Sequence, residues 1–246
     1  PYAKATLDAA DAFLAQSRGA LGELAGPLNI GIIPTIAPYL LPGVLIGIEE
    51  NYPDLEPRIV ENQTDQLLQM LRDGQLDLAV LATPTHAPGL EQLPLYDEPF
   101  VAVTNPDDPL AGRTDLGLDS LKDLNLLLLD DGHCLRDQIV ELCKIAEATP
   151  GARKHAVTRA SSLTTIVQLV VAGLGSTLIP ASAVGTECSR PGVASATFAN
   201  GVQAQRTVSL VYRASSQRVA EFEQLGQLVK ASYERALESG KSLLPR

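Results

Sequence analysis

Short apolar runs alternate with longer amphipathic segments from Leu28 onward, and this alternation restricts the fold more than any other feature of the chain. Apolar runs of four to eight residues are typical of buried strands, and a spacing of three or four residues between apolar positions is typical of helices. Strand–helix–strand–helix–strand order indicates an α/β layer with a parallel sheet. The predicted elements are strands at Leu28–Ile33, Glu56–Glu61 and Leu76–Ala82, and helices at Ala37–Glu50 and Gln66–Asp73, the latter with Thr64 as N-cap.

A second set of similar size follows the segment Asp97-Glu98-Pro99, which we interpret as a crossing between two lobes. The chain is expected to cross back near Gln203–Arg206. The predicted fold is therefore α/β, with two lobes around a cleft of the kind in which small ligands bind. The predicted strands here are Leu90–Tyr96, Phe100–Val103, Leu124–Leu129, a short one near Ala156, Ser176–Ile179 and Arg206–Tyr212, and the helices are Leu118–Asp123, one after Cys134, Ser162–Ala172 and Val219–Leu237.

The first 25 residues differ from the rest because they are rich in alanine, with small or apolar residues at alternating spacings of four and three. That spacing predicts a helix that packs on another helix, ended by Gly26-Pro27. An ordinary amphipathic helix packed on its own domain is the alternative. Since the chain begins at Pro1 without an initiator methionine, we interpret it as a fragment of a longer protein.

Composition excludes several classes of function. A formal net charge of -10 disfavours direct binding to nucleic acid, which requires clustered lysine and arginine. No apolar run approaches the ~20 residues that a membrane span needs, and the start does not resemble a secretory signal. Three cysteines do not form a secreted disulfide framework, so we expect a cytoplasmic protein with a redox-active or incidental thiol.

Reactive groups are densest between Asp130 and Gln138, directly after the apolar run Leu126–Leu129. Cys134 is expected at the N-terminus of the following helix, where the helix dipole and free backbone N–H groups favour a thiolate. A thiolate attacks peroxide and becomes a sulfenic acid. The alternative is that Cys134 is an inert packing residue, as buried free cysteines often are.

Cys143 lies nine residues after Cys134 on the same predicted helix. Nine helical residues rise about 13.5 Å, whereas a disulfide needs Cα atoms within about 7 Å. The two cysteines can therefore form a disulfide only if the segment 135–142 unwinds and repacks. A disulfide that closes so short a loop contributes roughly 2–3 kcal/mol, similar to the burial of one or two apolar side chains, so the two shapes can be closely balanced. The alternative is that Cys143 only packs.

Other candidates are weaker. Cys188 lies in a polar context and is interpreted as incidental, and His86 and His155 are isolated. No pair of cysteines or histidines has the spacing of a zinc site, and we predict no metal and no cofactor. The segment from Ala172 to Ser176 lacks the third glycine of a dinucleotide fingerprint.

The chain resembles the regulatory domains of LysR-type transcriptional regulators over nearly its whole length. Within that family it is similar to the members that sense hydrogen peroxide, and the segment Gly132–Gln138 carries this resemblance. The segments that match are Leu28–Gly31, Ile32–Thr35, Tyr39–Pro42, Tyr52-Pro53, Gln63-Thr64, Gly74–Ala79, Asp97–Pro99, Gly132–Gln138 and Val171–Pro180.

The resemblance implies two Rossmann-like lobes similar to periplasmic binding proteins, with Cys134 facing a small pocket between them and Cys143 in the position of the resolving cysteine. It implies a division into a linker helix at 1–26, a first lobe at 27–99 plus 206–246, and a second lobe at 100–205. The residues expected around the thiol are Thr35, Thr64, His133, Asp137, Gln138 and Arg206.

The resemblance also implies partners. DNA would be bound through an N-terminal winged helix-turn-helix outside this chain, by a homodimer or homotetramer that can contact RNA polymerase and be reset by glutaredoxin or thioredoxin. The chain would be a switch more than an enzyme, with no membrane association. Three alternatives stay open: a LysR-type domain that senses an organic ligand with Cys134 incidental, a thiol peroxidase, and a solute-binding protein for transport.

Overall fold

The computed structural model describes residues 24–82, 87–148 and 160–245. The predicted linker helix, the strand near Ala156, and His86 and His155 lie outside the described residues, apart from the last few positions of the linker. The helices and strands, in chain order, are β1 (Gly26–Ile32), α1 (Ala37–Asn51), β2 (Leu55–Glu61), α2 (Thr64–Asp73), β3 (Leu78–Leu81), β4 (Leu90–Thr104), α3 (Cys134–Ile145), α4 (Leu163–Val171), β5 (Thr177–Pro180), α5 (Val184–Glu187), β6 (Ala194–Thr197), β7 (Gln205–Arg213) and α6 (Val219–Gly240).

The first three strands form the predicted parallel layer. β1 pairs in parallel with β2 on one side and β3 on the other. β7 then pairs antiparallel with β3 and with β4, which gives the strand order β2-β1-β3-β7-β4-β5. Because β1, β2 and β3 run in the same direction, the loops at their carboxyl ends meet at one edge of the sheet, where α/β folds bind ligands.

β4 is one continuous strand of 15 residues, so the prediction of two strands separated by Asp97-Glu98-Pro99 is wrong. The strand continues because β7 pairs with this segment itself, with Asp97, Glu98 and Pro99 opposite Thr207, Arg206 and Gln205. β5 and β6 both pair antiparallel with the part of β4 beyond Phe100. A single strand therefore runs from one part of the molecule into the other.

The strand predicted at Leu124–Leu129 is also wrong. That segment makes only isolated bridges, from Leu126 to Ser176 and from Leu129 to Ala160. Its leucines are apolar enough for a strand, but its backbone pairs with neighbours at single points. β6 was not predicted, and the segment 118–122 is a short 3-10 helix.

The apolar residues form two cores. One core extends from Leu24 to Leu95 and from Val208 to Tyr233, and the other extends from Phe100 to Ala204. We call the residues around these cores the first lobe and the second lobe. Cys134 packs in the first core, although the other buried residues of α3 pack in the second, so the start of α3 connects the lobes. No helix within the described ranges is long and apolar enough to cross a membrane.

Candidate functional site

α3 begins at Cys134 and runs unbroken through Cys143 to Ile145, as the sequence predicts. His133 is the N-cap residue, with extended backbone angles, and Gly132 precedes it with φ of 92°. Cys134 is 8% exposed and Cys143 is 1% exposed, and all three cysteines of the chain are free thiols. Burial raises the pKa of Cys143, so its thiol is protonated at neutral pH. The intact helix keeps the two sulfur atoms apart.

A narrow cavity, too tight in this conformation for a water-sized molecule, lies in front of Cys134. Its walls come from the loop after β1, from the start of α2 after β2, and from the loop before α3. The carboxyl ends of two parallel strands thus meet the N-terminus of α3, the arrangement that α/β folds use for ligands. The lining residues are Ile33, Pro34, Thr35, Gln63, Thr64, Gly132, His133 and Cys134.

Several buried polar atoms around Cys134 have no hydrogen-bond partner among the described residues. Thr64 Oγ1, which lines the cavity, is one of them, and Gln138 Oε1 and Asp130 Oδ1 are others. Thr64 is the first residue of α2 and not its N-cap as predicted, because Gln63 holds that position. Buried polar atoms are nearly always paired in folded proteins, so unpaired ones beside a cavity indicate a place for a polar ligand.

Arg206 lies at the base of this region and is fully buried together with Glu98. Its Nε donates to Glu98 at 2.8 Å, and its Nη1 donates to Thr35 Oγ1 at 2.9 Å. Burial lowers the pKa of Arg206, but its electrostatic interactions, chiefly with Glu98 and then with Cys134, more than offset this, so its pKa is raised. A permanent positive charge therefore interacts with Cys134 from inside the protein.

The other residues expected at the site have different surroundings. Burial lowers the pKa of His133, opposed by the carboxylate of Asp130, so its imidazole is neutral at neutral pH. The amide nitrogen of Gln138, one turn after Cys134, donates to the carbonyl oxygen of Ala82 in the first lobe. Asp137 is not among the lining residues; its side chain is 70% exposed and lies 3.5 Å from Arg136.

Cys188 is buried, in contrast to the polar context of its sequence. Burial, with the adjacent charge of Glu187, raises its pKa to about 11. It follows α5 and packs in the second core, away from the cavity lining. Nowhere in the described part of the chain do three histidine, cysteine or acidic side chains group as metal ligands do.

Sequence reasoning did not select Gln63, Gly132 or Glu98 as site residues, although all three lie in segments that matched the family. Gln63 and Gly132 line the cavity, and Glu98 holds Arg206. The sequence places Gln63 next to Thr64 and Glu98 at the lobe crossing, and these positions could have suggested a role at the site. Neither position indicates a contact with the residues around Cys134.

Comparison with known proteins identifies the family of the chain. Residues 21–234 match the model of the LysR substrate binding domain. A relative named "Probable hydrogen peroxide-inducible genes activator" from Mycobacterium avium is 46% identical over 230 residues, which cover 93% of this chain and 72% of the relative.

Solved structures give the same grouping. A mutant of OxyR from Corynebacterium glutamicum in its H₂O₂-bound form is 56% identical, with a TM-score of 0.89 over 98% of this chain and 75% of the other. The oxidized form of that protein, also 56% identical, has a TM-score of 0.80 over 98% of this chain and 74% of the other. Another mutant of that protein, not named as H₂O₂-bound, has the same TM-score, 0.89, so the shape described here is nearer to the two mutant structures than to the oxidized form.

Proposed function

Because the chain belongs to the LysR substrate-binding domain family, we propose that it is the hydrogen peroxide-sensing regulatory domain of a transcription regulator. The observation that carries this proposal is the position of Cys134, at a small polar cavity with a buried arginine beneath it. The relatives named as peroxide-inducible activators and OxyR support the oxidant. An organic effector is disfavoured, because the cavity is too narrow here for a water-sized molecule and would have to open far more for an organic ligand than for hydrogen peroxide.

The first step is oxidation of Cys134. The thiolate sulfur attacks one oxygen of H₂O₂, the S–O bond forms as the O–O bond breaks, and the second oxygen leaves as hydroxide. Sulfur loses two electrons and peroxide gains them. Because Thr35 Oγ1 accepts from Arg206, its own proton is free to donate to a peroxide oxygen. Thr64 Oγ1 and the neutral imidazole of His133 can hold the other oxygen.

The second step joins Cys134 to Cys143. The thiol of Cys143 displaces the sulfenic oxygen as water, and a disulfide forms. On the intact helix about 13.5 Å of rise separates Cys134 from Cys143. A disulfide requires their Cα atoms to lie within about 7 Å, so the segment 135–142 must unwind. The contact of Cys134 with the first core and the bond from Gln138 to Ala82 are then lost. Oxidation therefore changes the contact between the lobes.

The regulator around this domain is proposed from the same family. The linker helix at 1–26, the first lobe at 27–99 plus 206–246 and the second lobe at 100–205 would form one subunit of a cytoplasmic homodimer or homotetramer. An N-terminal winged helix-turn-helix outside this chain would bind DNA, and the change in α3 would alter the oligomer and its contact with RNA polymerase. Each domain would consume one peroxide per oxidation, without a cofactor, and glutaredoxin or thioredoxin would reduce it.

Peptide mapping after peroxide treatment tests the proposal. The wild-type chain should form a disulfide between Cys134 and Cys143, and Cys143→Ser should retain a sulfenic acid at Cys134. Cys134→Ser should show neither product. Cys188→Ser is the matched control, since Cys188 is also 8% exposed but is remote from the cavity, and this variant should respond like the wild type. An unmodified Cys134 in the wild type would refute the proposal.

A further inference from the structure

We infer that Gln63 and Gly132 together close the mouth of the cavity in front of Cys134, so that only small reagents reach the thiol. We call their contact the mouth contact. The inference rests on the proposed function for the identity of the oxidant, because the mouth contact would select hydrogen peroxide by size at the same cavity. The contact itself is a property of the fold and can be tested without peroxide.

Gln63 occupies the outer wall of the cavity. It precedes α2 with extended backbone angles, and its side chain does not cap the helix. Of the lining residues, Thr35, His133 and Cys134 are buried, whereas Pro34, Gln63 and Thr64 are partly exposed and Gly132 is exposed. A reagent that approaches Cys134 from solvent therefore meets this outer rim first, and Gln63 contributes its longest and most flexible side chain.

The side chain of Gln63 crosses from the first lobe to the loop before α3. Its Nε2 donates to the carbonyl oxygen of Asp131 at 3.4 Å. A Cβ atom on Gly132 would lie 2.4 Å from Gln63 Oε1 and 2.9 Å from Cδ, closer than real Cβ atoms approach other atoms. Only a residue without a side chain lets Gln63 lie this close, and the φ of 92° favours glycine as well.

The geometry also explains how the mouth can open. A hydrogen bond of 3.4 Å at an exposed site is weak, and rotation of one flexible side chain releases it. In this conformation the cavity behind it admits no water-sized molecule, so a peroxide can enter only after the Gln63 side chain has moved. A molecule of two oxygen atoms needs little more room than one water, about 30 Å³. An aryl or branched alkyl hydroperoxide is larger, so it is hindered more strongly than hydrogen peroxide by the Gln63 side chain.

The test compares reagents of graded size at Cys134. Iodoacetamide and fluorescein-5-maleimide are applied to the whole chain, and the rate of modification of the Cys134 peptide is followed by mass spectrometry. In Gln63→Ala the ratio of the rate with the large reagent to the rate with the small one should rise about tenfold, the lower end of steric discrimination by a pocket. Gln66→Ala, an exposed glutamine on the same helix, is the matched control and should keep the wild-type ratio.

A second pair of oxidants separates the two proposals. The rate of Cys134 oxidation by cumene hydroperoxide, divided by the rate with hydrogen peroxide, should rise in Gln63→Ala. The ratio of the two alkylation rates should rise in the same variant. An unchanged alkylation ratio in that variant would overturn the mouth contact, whether or not the rate with hydrogen peroxide falls. If neither peroxide oxidises wild-type Cys134, the proposed function fails, while the alkylation ratio still decides the inference.

Discussion

Removal of one methylene group from α3 should make the chain easier to oxidise. Ile139 is 2% exposed and packs in the second core, in the segment that must unwind when the disulfide forms. Ile139→Val lowers the stability of the helical, reduced form by about 0.5–1.5 kcal/mol. The stability of the oxidised form should not change, because this side chain has left the core there. For a two-electron couple, about 30 mV corresponds to 1.4 kcal/mol. The midpoint potential should therefore fall by about 10–30 mV.

The assay equilibrates the chain with buffers of reduced and oxidised dithiothreitol at fixed pH and measures the disulfide fraction by mass after alkylation. Ile166→Val is the matched control, because Ile166 is 0% exposed in the same core but belongs to α4. The loss of stability in Ile166→Val should be the same in both redox forms, so the midpoint potential should stay unchanged. Equal shifts for the two variants would refute the conclusion that α3 alone unwinds.

Three further predictions concern charge and burial. Burial lowers the pKa of His133 in the folded chain, so the unfolded chain binds this proton more tightly. The contribution of His133 to the free energy of unfolding should therefore be fully present above pH ~6.5 and be lost as the pH falls below that value. His133→Gln should flatten the dependence of the melting temperature on pH. Glu98→Gln leaves the buried charge of Arg206 uncompensated and should lower the free energy of unfolding in urea by about 3–5 kcal/mol; a loss no larger than that of the exposed Asp115→Asn would contradict this. With its pKa raised to about 11, Cys188 should react with iodoacetamide at neutral pH far more slowly in the folded chain than in urea, and equal rates would contradict its burial.

The helix that carries Cys134 and Cys143 could be predicted because its signals are local. Leu135, Ile139 and Leu142 have the spacing of one buried helix face, and all three are buried. The separation of Cys134 from Cys143 follows from helix geometry once that helix is accepted. The parallel pairing of β1 with β2 and β3 was likewise predictable, since the order of strands and helices along the chain restricts it.

The unbroken β4 could not be predicted, because the cause lies about 110 residues further along the chain. Asp97-Glu98-Pro99 has the composition of a turn, yet β7 pairs with all three residues and keeps them extended. The same pairing places Glu98 directly opposite Arg206 and so forms the buried ion pair beneath the cavity. Neither residue carries a local signal of that contact.

The sequence by itself determined the α/β alternation, the helix at Cys134 and the distance that an intact helix imposes on Cys143, since periodicity and helix rise act over a few residues. Only the tertiary structure decided what surrounds the thiol. Cys134 packs in the first core although the rest of α3 packs in the second, Arg206 of β7 interacts with it electrostatically, and Gln63 before α2 lines the same cavity. These contacts join residues that are distant along the chain, and strand register and close packing against Gly132 select them.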